Sequence, residues 1–229
     1  MTSGLTRRNA AIEAIKNLKE ADREGLSKVL TFCLMFDEPR TQFVGATMLE
    51  LLTQLETALR LPTEPFLAAI RVQWWVDAVL RPTDPNIAPP VPLIGQIHQL
   101  IKDNPQLEGA LPPLMDFWQT ACHDRDRDSL AGWVTSFELL ARITGQANAT
   151  KMAATVATSL YYASHDLPPM MVPLSVIRDL QRSGKKTGQS WLYLLAMLAR
   201  YLNQTDRNQA HPWLAWQVMG WRFLGPPQN

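Results

Sequence analysis

Arg71, Trp74 and Trp75 lie close together within the stretch 63–80, and their side chains are able to do chemistry. Thr63 offers an N-cap, Glu64 and Pro65 suit a first turn, and no breaker follows until Pro82. The stretch therefore reads as one helix over 64–80. Arg71 then stands three and four residues before the two indoles, on a shared face. A guanidinium beside two indoles could hold a phosphate-bearing apolar ligand, with the cation on the phosphate and the rings on the chain. The same residues could instead be a helix-packing motif, since large aromatics mostly serve cores. Asp77 and Arg81, at i and i+4, read as a surface ion pair.

Carboxylates four residues apart on a helix point the same way, and hard oxygen ligands suit Mg²⁺. Asp or Glu recurs at that spacing only twice, as Glu20 with Glu24 and as Asp124 with Asp128. The run from His123 to Asp128 interleaves arginines with its acids and lacks the central Gly and distal Glu of a Ca²⁺ loop, so it reads as a solvated, charge-balanced loop. The run from Ser183 to Gly188 lacks the first Gly of a phosphate loop and the strand before it. His98, His165 and His211 show no ligand spacing, and His165 reads as a helix end. Nothing supports a nucleophile triad. Near the C-terminus, Trp213 and Trp216 fall on one helix face with Gly220, while Trp221 points elsewhere. That segment could lie in a membrane interface, bind a partner or close the core.

The elements that must position these residues are helical. Met48, Leu52, Leu55 and Leu59 line one face, as do Ile94, Ile97, Leu100 and Ile101, and as do Leu130, Trp133, Val134, Phe137 and Leu140. Strand-like alternation is absent, and Gly145 is a natural stop. The spacing predicts helices over 7–20, 23–35, 39–60, 64–80, 92–103, 107–122, 129–144, 148–164, 172–182, 188–203 and 212–223. Asp128 or Ser129 would cap the seventh. The proline-rich stretch 81–92 reads as a surface connection within one domain spanning 1–229. The chain is long enough for one sizeable core and short for two domains. With 22 Lys plus Arg against 21 Asp plus Glu, no global charge attracts nucleic acid. Cys33 and Cys122 give no disulfide framework and suit a reducing compartment. No secretory signal and no spanning apolar run is visible, so a cytoplasmic protein is expected, with peripheral contact at the inner membrane allowed.

The segment 63–80 resembles the squalene/phytoene synthase superfamily. It is most similar to the branch whose members read roughly SEP…IRLQWWRDAL, through Glu64, Pro65, Ile70, Arg71, Gln73, Trp74, Trp75, Asp77 and Ala78. That branch includes bacterial phytoene-synthase-like proteins and the mitochondrial assembly factor of respiratory complex I. The resemblance implies an all-α fold, a single isoprenoid-synthase-like helical domain of about 9–11 helices. The superfamily's enzymes hold Mg²⁺ on two DxxxD motifs against prenyl diphosphates. Here the first motif would fall at Glu56 and Arg60, where a cation replaces the second acid, and no second motif is visible between Thr158 and Arg182. Catalytic residues and a resident metal are therefore not expected. The expectation is a binding or assembly protein, with respiratory-chain subunits as partners by resemblance. Arg71, Trp74, Trp75, Glu56 and Asp116 are candidates for a remnant pocket. Trp213, Trp216 and Trp221, with the 63–80 helix, are candidates for a partner or membrane surface. The alternatives are a Mg²⁺-dependent prenyl-diphosphate transferase that gathers Glu50, Glu56, Asp116 and Asp166, and a non-catalytic carrier of prenyl lipid or quinone.

Overall fold

Pro39, Pro65 and Pro92 each open a helix at its first turn, where a missing N–H costs nothing and a fixed φ is already helical. The computed structural model describes residues 26–81, 89, 91–124, 128–165, 167–204 and 214–224. The helices are α1 (Leu26–Leu34), α2 (Pro39–Arg60), α3 (Pro65–Leu80), α4 (Pro92–Asp103), α5 (Gln106–His123), α6 (Leu130–Ile143), α7 (Thr150–Ser164), α8 (Leu174–Thr187), α9 (Trp191–Gln204) and α10 (Leu214–Leu224). A 3₁₀ turn at Ala147–Ala149 joins α6 to α7. Among the described residues there is no strand, and the ten helices make a single all-α domain. The helix expected over 7–20 lies outside the described residues, as does most of the 81–92 connection.

Two helices organise the core. α2 packs on α1, α3, α4, α5 and α6, which is why most of its residues from Thr41 to Leu59 are buried. α9 packs on α1, α7, α8 and α10. Its sequence is apolar nearly all round, and its residues from Trp191 to Ala199 are all buried. A helix without a polar face must sit inside a bundle. The α6–α7 hairpin joins the two halves. Gly145 turns the chain out of α6 at φ +82°, and Gln146 N–H returns to Ala141 O at 2.7 Å, a helix stop only a left-handed residue allows at low cost.

A second tie crosses 153 residues of sequence. Asp37, in the turn between α1 and α2, accepts from Ser190 N–H at 2.6 Å, Ser190 Oγ at 2.9 Å and Trp191 N–H at 2.9 Å. These groups open α9, so Asp37 caps a helix far from it in sequence. α5 continues through Pro112 and Pro113. Glu108 and Gly109, whose carbonyls lose their helical donors there, are on the exposed side, where water can satisfy them. Cys33 and Cys122 are buried free thiols.

Candidate functional site

Glu56, one turn before the end of α2, accepts four hydrogen bonds from side chains of three segments. Its Oε1 accepts from Arg60 Nε and from His165 Nε2, the latter at 2.8 Å. Its Oε2 accepts from Ser129 Oγ at 2.8 Å and from Trp133 Nε1 at 2.9 Å. The periodicity of three helices brings these donors together. Glu56 and Arg60 are one turn apart on α2. Ser129 and Trp133 are one turn apart at the start of α6, and Tyr161 and His165 are one turn apart at the end of α7. Asp128, as expected, serves the first turn of α6: its Oδ1 accepts from Leu130 N–H at 2.9 Å. The same oxygen accepts from Tyr161 Oη at 3.0 Å, and Tyr161 in turn accepts from Arg60 at 3.3 Å. The His165 ring lies 4.1 Å from the Tyr161 ring and edge-on to Trp133.

An ionised carboxylate has about four lone-pair sites on its two oxygens, and four donors occupy those of Glu56. Burial alone would raise its pKa. The hydrogen bonds from His165, Trp133 and Arg60 outweigh that and hold it down to about 2. The site is thus a saturated, charge-compensated latch joining α2, α6 and α7. A Mg²⁺ ion needs open carboxylate oxygens, and Glu56 offers none without dismantling the latch. The residues present therefore do not fit the metal that the family resemblance implies. The other acids do not repair this. Glu50 is buried in mid-α2 with Oε2 unpartnered, and burial pushes its pKa up to about 7. Asp116 is exposed on α5, and Asp166 lies outside the described residues. Among the described residues no three His, Cys, Asp or Glu come together as a metal site.

Arg71, Trp74 and Trp75 do converge. With Gln54, Thr57 and Ala58 of α2 they line a cleft of about 180 Å³ between α2 and α3. The indoles meet edge to face, with centroids 4.9 Å apart. Trp75 is half-buried against the core, whereas Trp74 and Arg71 are exposed. Glu56 is not among the residues lining this cleft. The five pocket candidates thus divide among a cleft, a latch and an isolated surface acid. The structure also corrects one surface candidate. Trp221 is buried, close to the Tyr201 ring, and its carbonyl accepts from Tyr193 Oη. Trp213 and the side chain of Trp216 lie outside the described residues.

The sequence reads His165 as a helix end, Ser129 as a cap and Trp133 as part of an apolar stripe, and connects none of them to Glu56. Their signal was local: Ser129 with Trp133, and Tyr161 with His165, each set two polar groups on one helix face at i, i+4. The chain matches no protein-family model, no curated protein and no solved structure.

Proposed function

We propose that this chain is a degenerate relative of the squalene/phytoene synthases that works as a binding or assembly protein and not as a synthase. The observation that supports this best is the filled coordination of Glu56, the acid at the register of the first metal motif. A residue that a synthase would keep open for Mg²⁺ here locks three helices together. By resemblance, the role is assembly or maturation of respiratory complex I at the cytoplasmic face of an inner membrane. Among the described residues no helix is long and apolar enough to cross a membrane, so the contact proposed is peripheral.

The cleft at Arg71, Trp74 and Trp75 favours a second reading, a carrier of prenyl lipid or quinone. Its volume of about 180 Å³ falls below the roughly 300–1,000 Å³ of sites that engulf small ligands. It fits one end of such a molecule and not its length, so the assembly reading is preferred. Affinity capture from detergent-solubilised respiratory membranes tests the role. Complex I subunits should be enriched over a tagged control helical protein. A capture with no complex I subunit would overturn the assembly assignment.

A further inference from the structure

α3 is built inside out for a helix of a bundle. Its buried residues are small or β-branched: Ala68, Val72, Val76 and Val79. Four of its large ones face outward, with Phe66 72%, Leu67 46%, Ile70 50% and Trp74 43% exposed. Phe66, Ile70 and Trp74 step by four, and all four residues fall within about 100° of the helix circumference. Phe117, 41% exposed, is a large apolar residue on α5, the helix packed beside α3. Apolar side chains scattered singly on a surface need no explanation, but a contiguous strip of them marks an interaction site.

The charges beside the strip say what covers it. On one flank Asp77 is satisfied by Arg81 at 3.0 Å and by Gln73 at 3.0 Å, and Gln119 donates to Gln73 at 2.7 Å. On the other flank Arg71 stands exposed over the cleft, and no described carboxylate pairs with it. Glu64 before the helix and Asp116, next to Phe117 in sequence, are exposed acids. An anionic bilayer surface requires a belt of cations, and among the described residues of α3 only Arg71 is a cation without a paired carboxylate. A straight apolar strip about 12 Å long from Phe66 to Trp74 matches two to three turns of a helix laid along it.

We propose that the outer face of α3 docks an amphipathic helix of a partner protein, one with an acidic side chain beside its apolar stripe to meet Arg71. The proposal rests on the reading of the chain as a binding protein and adds the chemistry of its partner. The probe is a designed helical peptide of about 18 residues with leucines at i, i+3, i+4 and i+7 and glutamates on one flank. A twin carries lysines in place of the glutamates. By fluorescence anisotropy, the glutamate peptide binds the whole chain about tenfold more tightly than its twin. Ile70→Asp, at a half-exposed position on the outer face of α3, weakens it by about tenfold or more. Arg71→Glu reverses the preference, an outcome that mere loss of folding would not give. Equal binding of the two peptides, or no binding of either, overturns the proposal. So does an Ile70-dependent association with phosphatidylglycerol vesicles, which would assign the strip to a membrane. Loss of a dimer on Ile70→Asp in sedimentation would likewise overturn it, giving the strip to a second copy. Release of pyrophosphate from prenyl diphosphates would instead overturn the parent reading and leave the peptide result standing, so the two failures are distinguishable.

Discussion

Glu56→Ala lowers the unfolding free energy by about 3–5 kcal/mol, the range seen when one partner of a buried ion pair is removed. The loss is large because it strands several groups at once. Trp133 and His165 are mostly buried, and Ser129 is buried as well, so each loses its acceptor without gaining bulk water. For a domain of this size that corresponds to a fall in Tm of roughly 10 °C. Thermal and urea unfolding check it, and a loss below about 1 kcal/mol would show the latch to be ornamental. The acid limb gives the same quantity independently. The folded pKa of about 2 lies below the reference 4.5, so Glu56 contributes roughly 3 kcal/mol above the reference value. That contribution is lost as pH falls from about 4.5 to about 2. Glu56→Ala should therefore flatten the stability profile over that window.

Asp37 gives the second large effect, with the opposite dependence on acid. Asp37→Ala removes the cap of α9 and leaves Ser190 N–H and Trp191 N–H in a buried turn without acceptors. The expected cost is about 3 kcal/mol. Burial raises the pKa of Asp37 above 3.8, and the donors from Ser190 and Trp191, with Arg222 nearby, offset only part of that. The folded state thus takes up the proton more readily than the unfolded chain does. Stability gained through this group grows as pH falls through the folded pKa and stops growing below 3.8. A neutral isostere follows from the same reasoning. Asp37→Asn keeps an oxygen for Ser190 and drops the desolvated charge, but it turns an amide NH2 toward Trp191 N–H and strands that donor, so it should recover only part of the loss and cost about 1–2 kcal/mol. Equal losses for Ala and Asn in urea unfolding would contradict this account of the cap.

What the sequence made legible was the local order. The helix expected over 39–60 is Pro39–Arg60, and that over 92–103 is Pro92–Asp103, because a leading proline and an apolar stripe define each from within. The end of α8 was not legible in the same way. The expected stop at 182 is overrun to Thr187, since Lys185 and Lys186 suit a last turn and Gly188 closes it at φ +74°. The pairing of Arg71, Trp74 and Trp75 in one cleft was readable because one helix carries all three. The latch was not: Glu56 and His165 are separated by 109 residues, and only the packing of α2, α6 and α7 brings them together. The cap at Asp37 has the same character. Nor could helical periodicity reveal that α3 turns its small residues inward, because Phe66, Ile70 and Trp74 make as regular a stripe as Ala68, Val72 and Val79.

We propose that this helical domain binds a partner and does not turn over prenyl diphosphates. The direct measurement is pyrophosphate release from farnesyl and geranylgeranyl diphosphate in the presence of Mg²⁺, with ligand binding followed in the same samples. No release is expected, because Glu56 has no oxygen to give to the metal while the latch holds. Sustained release of pyrophosphate would contradict the proposal.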